Sequence, residues 1–554
     1  MLDSFKKTRV AYFSMEIALE NDLKTYAGGL GVLAGDLLRA ASELKFPMIG
    51  ITLLNPLGYL KQKINFFGQQ VSKAETEFDY KKLKKINKTI EIIIGLEKVK
   101  IGIWQYSLKS DDGLTIPIYF LDTDIEGNLQ EDKKISGRLY NDSRVYRLKQ
   151  EIVLGRGGIK LLSALGYYNI NKIHLNEGHG SLAGLELLLE QKEKSFASRL
   201  KNVRQKCVFT THTSIPDLQE IFSFSDFKRL QTDFPNELNF LVKDDKINFT
   251  LLGFYFSDYI NAVSKKHQEI VSKFYPLNDI KSNTNGVDSI FWTSDEFKML
   301  YDKYILNWRE ENALLKNASK IPTKEILLAR QKTKKKLIDY VNNISKSKLK
   351  EDVFTIGYAR RFTAYKRPEF LLKNISQLIR INQEIGKIQI IYSGKAHRSD
   401  KNGKRMIKDI MDFKKKLKGK IELVFIEDYD LTKAKMLVSG VDIWLNTPEL
   451  YNEACGTSGM KASHNGVPQF STLDGWWPEG YQENKTGWAI NEKKDGTSNL
   501  YNLLADKIIP LYYNNNKEGW AKIMRSTISI NAAYFNSQRN LKQYIKEAYK
   551  IKVK

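Results

Sequence analysis

At 554 residues the chain is too long for a single hydrophobic core, which points to two large domains. Its apolar content is that of a soluble globular protein, and no uninterrupted apolar run reaches the ~20 residues of a membrane span. The net charge of +24 comes from lysines scattered through Lys/Asn/Ile-rich stretches, which argues against a dedicated nucleic-acid binder but leaves an attraction for phosphate.

Residues 9–16 read as a buried strand ending on the carboxylate of Glu16. A glycine loop follows, with Gly28, Gly29 and Gly31 leading into the helical run LLRAASEL. Strand, glycine loop and helix start form an anion-binding arrangement, because glycine lets backbone N–H groups close on a ligand and the helix start favours negative charge. The spacing is not that of a dinucleotide fingerprint, and a tight turn with no ligand is the plainer alternative. Residues 46–54 and 116–125 read as further strands, and 72–88 as a charged surface excursion. The run from Arg147 to Glu151 starts an amphipathic helix, and no chemistry is assigned to Arg147 or Lys149.

At 173–181 a strand ends on Asn176, Glu177 and His179 and turns into a helix, and 207–216 repeats the pattern with His212. Polar residues at such strand ends face the ligand crevice of an open α/β sheet, although a lone histidine is more often structural. Residues 295–350 are strongly helical, so the domain junction is expected near their start, giving domains 1–295 and 296–554. The terminal helix, about 535–552, either ends the second domain or returns to the first. Strands at 354–362, 388–397, 421–430 and 441–449 complete an α/β chain of two doubly wound, Rossmann-like domains.

Arg360, Arg361, Lys366 and Arg367 put four cations within eight residues after a strand. Guanidinium forks and a lysine suit phosphate, and a solvated surface cluster is the equal alternative. Further on, Lys461 closes a loop containing Gly456, Thr457, Ser458 and Gly459. An amine beside a phosphate cradle suits a cofactor that is both aldehyde and phosphate ester, and a tight turn with a solvated lysine is the alternative. Cys207 and Cys455 are the only cysteines, so no disulfide framework is expected and a reducing, cytoplasmic setting is. The opening MLDSFKKTRVAYFSMEI has no signal-peptide pattern, and no Cys/His cluster has zinc-like spacing, so no metal is expected.

The run from Glu453 to Lys461, with Asn465 four residues on, resembles the pyridoxal-phosphate segment of the α-glucan phosphorylases, the glycogen, starch and maltodextrin enzymes. Their pattern is E-A-S/C-G-x-x-x-M-K, and His464 stands where the family usually has Leu or Met. The blocks YFSMEIAL, GGLGVLAGD, YRLKQEIVLG, N-E-x-H, T-x-H-T, R-x-x-x-x-Y-K-R, GKAH, IEDYD and LDGWWPEGY extend the resemblance, in order, over about 10–490.

The resemblance implies the GT-B arrangement, two facing Rossmann-like domains with an active-site cleft between them, in a compact prokaryotic form. It implies pyridoxal 5'-phosphate held as an imine by Lys461, with Gly456, Thr457, Ser458 and Arg360 on the cofactor's phosphate side. Arg361 and Lys366 would hold the substrate phosphate, beneath the loop of Gly28, Gly29 and Gly31. Glu177, His179, His212 and Glu453 would lie at the sugar, with neither Glu177 nor Glu453 acting as a glycosidase-type acid or base, while Glu16 would sit near the active cleft and Tyr429 would bind substrate. Phe254 stands where full-length relatives have a further sugar-contacting histidine upstream of the one matching His267.

The implied reaction is reversible phosphorolysis of terminal α-1,4-linked glucose from glycogen, starch or maltodextrin, giving α-D-glucose 1-phosphate. Glucan and inorganic phosphate would be the partners, with no nucleic acid or membrane, and a homo-oligomer is left open. The alternatives are a nucleotide-sugar-dependent glucan synthase and a non-catalytic glucan-binding protein.

Overall fold

Val10–Phe13, the first apolar run, is a strand with no exposed residue, as expected of a parallel strand covered on both faces. In the computed structural model, which describes residues 8–73, 78–140, 143–193, 195–216, 219–276, 278–492, 495–514 and 516–551, it lies inside a nine-stranded sheet. Across that sheet run Ile280–Ser282, Tyr259–Ala262, Cys207–Thr210, Lys172–Asn176, Val10–Phe13, Met48–Leu53 and Ile116–Asp122, all parallel. Two antiparallel strands, Glu97–Leu108 and Lys84–Ile94, extend the last edge. Counting the parallel strands in chain order, the sheet reads 7-6-5-4-1-2-3. Its order therefore reverses between the first strand and the fourth.

A second sheet is all parallel: Glu422–Ile426, Ile388–Ser393, Phe354–Ala359, Ile443–Asn446, Gln469–Thr472 and Gly487–Ile490. In chain order it reads 3-2-1-4-5-6, the doubly wound order of nucleotide-binding sheets. Here too the order reverses between the first and fourth strands. Ligands of such sheets bind at the carboxyl ends of the strands flanking that reversal.

Each sheet belongs to its own compact unit. The first is Met1–Tyr59, Ala74–Thr284 and Asn540–Lys554; the second is Leu60–Lys73 and Asn285–Arg539. A single cut at 295/296 does not describe them, because two segments cross it for identifiable reasons. The hairpin Lys61–Ile64/Gln70–Lys73 joins the second unit through its glutamines. Gln62 Nε2 donates to the Gly394 carbonyl at 2.8 Å and Gln70 Nε2 to that of Ala396 at 2.8 Å.

The C-terminal segment returns to the first unit, where Leu541, Tyr544 and Tyr549 are buried. Tyr549 shares a hydrogen bond of 2.7 Å with His174 Nδ1, and Asn261 Nδ2 donates to the Tyr544 hydroxyl at 3.1 Å. Of the expected surface excursion, 74–77 lie outside the described residues and Lys84 already begins a strand. Among the described residues no helix is long and apolar enough to cross a membrane.

Candidate functional site

In the second unit the chemistry-bearing residues follow the two strands at the reversal. Arg360 comes directly after Phe354–Ala359, and the loop reaching Lys461 comes after Ile443–Asn446. Arg360 Nη2 donates to Glu453 Oε2 at 2.6 Å, and Lys366 Nζ donates to the same oxygen. Burial alone would raise the Glu453 pKa, but Lys366 and Arg360 outweigh it and hold the carboxyl at about 2. Arg360 Nε and Nη1 are buried and have no hydrogen-bond partner among the described residues. Such groups cost about 1–3 kcal/mol each when left unmade, so this guanidinium is built to receive an acceptor.

The cation cluster is not uniform. Arg361 is exposed. Arg367, in the left-handed region at φ 45°, spends its guanidinium on the carbonyls of Thr447 (2.9 Å) and Pro448 (2.8 Å), and so staples the two loops together.

Lys461 sits on the short helix Ser458–Ser463 and is only 8% exposed. Its Nζ lies 4.2 Å from the centroid of the Trp292 ring. Two neighbours explain why Trp292 is there. Asn465 Nδ2 donates to the Trp292 carbonyl at 2.9 Å, and its Oδ1 accepts the Ser294 N–H at 2.8 Å. His464 Nδ1 donates to the Met460 carbonyl at 2.8 Å, leaving Nε2 to accept from Ser289 Oγ at 2.9 Å. Burial holds His464 neutral, with its pKa lowered to about 4. The histidine that departs from the family pattern is thus an internal tether.

The loop itself needs its glycines. Gly456 has φ 77°, and a Cβ on Gly459 would fall 1.4 Å from Gln469 Oε1. Ser458 Oγ accepts the Trp444 indole N–H at 3.0 Å, and Thr457 stands at the start of the short helix with no side-chain capping bond. Asp474 Oδ2 accepts the Glu453 N–H at 2.8 Å and so positions the carboxylate that gathers the cations. Tyr429 is partly buried, and burial pushes its hydroxyl pKa above the ordinary value.

In the first unit the same logic gathers residues after the first and fourth strands. Glu177, after Lys172–Asn176, has φ 73°, a conformation that costs a non-glycine residue free energy and clusters at functional sites. It is buried, and its carboxylate accepts the N–H groups of Gly178 (3.3 Å) and His212 (2.5 Å). His212 Nε2 donates to Asn176 Oδ1 at 2.7 Å, and burial lowers its pKa to about 3, so it is neutral.

His179 lies with its Nε2 3.4 Å from both Glu220 Oε1 and Arg147 Nη2. Burial opposes its charge, but the Glu220 carboxylate outweighs burial and raises its pKa. His179 Nδ1 has no partner among the described residues. Arg147 pairs with Glu220 and stacks over the Tyr140 ring at 5.1 Å, so the helix Arg144–Ile152 carries a site residue that its amphipathic pattern did not announce. Glu16 accepts the N–H groups of Ala27 (2.5 Å) and Gly28 (3.1 Å). The helix Gly29–Glu43 then starts with no side-chain cap.

Two family models match the chain. One, carbohydrate phosphorylase, matches residues 231–479, and the other, the starch synthase catalytic domain, matches residues 9–282. A glycogen phosphorylase of Aquifex aeolicus is 34% identical over 607 residues, covering 99% of this chain and 87% of that protein. A maltodextrin phosphorylase of Thermococcus litoralis is 34% identical over 588 residues, covering 98% of this chain and 70% of that protein. The chain belongs to the carbohydrate phosphorylase family.

With the family comes the class of glycosyl-transferring enzymes, and the two doubly wound units make this a glycosyltransferase fold of the GT-B type. An uncharacterized protein of Methanocaldococcus jannaschii is 32% identical over 557 residues, covering 98% of this chain and 99% of that protein. Phe254 of this phosphorylase-family chain is a core residue, packed edge-on against Phe209 (5.2 Å) and Tyr275 (5.2 Å). Tyr140, Arg147, Glu220, Trp292 and Asp474 were not legible as site residues. Each is defined by a partner distant in sequence, and although Arg147 and Asp474 fall inside the blocks YRLKQEIVLG and LDGWWPEGY, nothing local gives either its partner.

Proposed function

We propose that this protein is an α-glucan phosphorylase, which transfers the terminal α-1,4-linked glucose of a glycogen or maltodextrin chain to inorganic phosphate, reversibly, giving α-D-glucose 1-phosphate. The observation that carries the reading is the buried guanidinium of Arg360, with two N–H groups unpartnered among the described residues, beside Lys366 and Glu453. These residues lie in the same unit as the buried amine of Lys461.

The donor set fits pyridoxal phosphate: an enclosed primary amine against an aromatic ring for the aldehyde, and unspent guanidinium N–H groups for the phosphate ester. Lys461 would hold the group, with Arg360 and the loop of Gly456, Thr457 and Ser458 toward its phosphate. When bound, it supplies a phosphate that exchanges a proton with the substrate phosphate.

The chain's own residues do the remaining work. Arg360, Arg361 and Lys366 supply charge-assisted donors, each worth about 1.5–3 kcal/mol. Glu453 stays ionised at working pH and cannot donate a proton, and Glu177, although burial raises its pKa, has both oxygens engaged by backbone N–H groups. Neither is a glycosidase-type acid, which leaves protonation of the leaving oxygen to the phosphate side. His179, with Nδ1 unspent, is the group that would meet a sugar hydroxyl. Cys207 and Cys455, free and buried, fit a reducing, cytoplasmic setting.

The test is pyridoxal absorbance of the purified protein together with phosphate-dependent glucose 1-phosphate release from maltooligosaccharides. Lys461→Ala should lose both, and unchanged activity in that variant would refute the reading. The match to a starch synthase catalytic domain favours one other reading, a nucleotide-sugar-dependent glucan synthase. It would consume a nucleotide-glucose and carry no pyridoxal group. Glucan binding without turnover of either donor would mark a binding protein.

A further inference from the structure

Glu16 was expected near the active cleft as a substrate-binding residue, yet its carboxylate is committed to the protein. One oxygen accepts the N–H groups of Ala27 and Gly28, at 2.5 and 3.1 Å, and the other accepts the Tyr140 hydroxyl at 2.9 Å. Its backbone is zipped to the same loop: Ile17 N–H donates to the Thr25 carbonyl at 3.1 Å and Ala18 N–H to that of Gly31 at 2.8 Å. A Cβ on Gly31 would lie 2.8 Å from Glu16 Oε2, so glycine there is what lets the carboxylate in. The loop's other side is open, since a Cβ on Gly28 or Gly29 would meet no atom within 4 Å.

The helix behind the loop returns its first hydrogen bond from Val32 N–H to the Gly28 carbonyl, at 3.2 Å. The N–H groups of Gly29, Leu30 and Gly31 therefore have no acceptor within the helix. Glu16 takes the two N–H groups just before these three, which themselves have no acceptor among the described residues. We propose that Glu16 and Tyr140 are positioning residues, a clamp that presets the glycine loop so that the N–H groups of Gly29, Leu30 and Gly31 converge on an incoming anion. This rests on reading that loop as a contact of the substrate phosphate.

Tyr140 also links the loop to the histidine cluster. Its ring lies under the Arg147 guanidinium at 5.1 Å and 5.8 Å from the His179 ring. Burial, and next the Glu16 carboxylate, push the Tyr140 pKa well above its ordinary value, so the phenol remains a hydrogen-bond donor at any working pH. A group that binds at His179 and shifts Arg147 or the ring therefore acts on the glycine loop through one hydroxyl.

Tyr140→Phe deletes that hydroxyl and keeps the ring on Arg147 and His179. The expected result is a phosphate KM raised about 5–20-fold, with kcat changed less than 3-fold and glucan KM within 2-fold of wild type. The amides of Ala27 and Gly28 should exchange with solvent at least 10-fold faster. Glu16→Gln, which keeps an acceptor oxygen without its charge, should fall between wild type and Glu16→Ala. Unchanged exchange at Ala27 and Gly28 in both Tyr140→Phe and Glu16→Ala would overturn the clamp. So would a lowered melting temperature with phosphate KM unmoved. If the wild-type protein shows no phosphate-dependent turnover, the reading of the loop fails. The exchange measurement, made with and without inorganic phosphate, still decides whether the two residues set the loop.

Discussion

Glu151 is the least compensated charge site in the first unit. It is fully buried, and neither carboxylate oxygen has a hydrogen-bond partner among the described residues. Burial, and then the neighbouring Glu220 carboxylate, push its pKa up to about 8. A carboxyl whose folded pKa lies above its unfolded value contributes most below the unfolded pKa, and stability is lost as pH rises through the folded value. Glu151→Leu removes that loss. Its stability relative to wild type should therefore rise between pH 5 and pH 9, by about 1.4 kcal/mol for each pH unit between the unfolded and folded values. Melts at the two pH values check this, and a pH-independent difference would contradict it. Arg360 makes the opposite case, a buried group whose unspent donors are wanted. Lysine keeps the charge there but loses the fork, so Arg360→Lys should lower kcat/KM for phosphate by about 10²–10³, the usual loss on removing one preorganised donor.

The elements that carry these residues were legible because their signals are local. A buried strand, a small-residue loop and a helix start occupy a dozen residues of sequence, and the loops at 26–31, 176–181, 360–367 and 453–461 all fall after strands flanking an order reversal. Their partners were not legible. Arg147 sits on an amphipathic helix, and nothing in that pattern says Glu220 will reach it from 73 residues away. Asp474 reads as a turn residue until its carboxylate is seen on the Glu453 N–H.

Gly475 shows how tightly those loops are tied. It has φ 59°, and a Cβ there would lie 2.3 Å from the Cys455 carbonyl oxygen and 3.1 Å from Glu453 Cγ. Gly475→Ala cannot be absorbed by a flexible side chain, because the first obstacle is backbone. It should lower stability by about 1–3 kcal/mol, the typical cost of overpacking, and displace Glu453 from Arg360 and Lys366. Phosphate KM and the melting temperature should worsen together in this variant. A lowered melting temperature with phosphate KM intact would separate the two loops.

At the scale of the molecule, the units are interleaved along the chain, and of the two placements expected for the terminal helix, 540–554 takes the return to the first unit. That return is an integral part of the first core. Leu541, Tyr544 and Tyr549 are buried there, and the tyrosine hydroxyls satisfy polar atoms on three neighbouring strands. Burying each such side chain is worth about 1.5–3 kcal/mol. Leaving His174 Nδ1 without the Tyr549 hydroxyl adds about 1–3 kcal/mol. The sum is comparable with the whole stability of a domain, about 5–15 kcal/mol. Ending the chain at Arg539 should therefore unfold the first unit and spare the second, whose own sheet and aromatic core around Trp444, Trp488 and Trp520 lie within 285–539. Limited proteolysis of the shortened chain should leave a resistant fragment beginning near 285, while 8–59 and 78–284 are degraded. Equal resistance of both parts would show that the returning segment only decorates the first core.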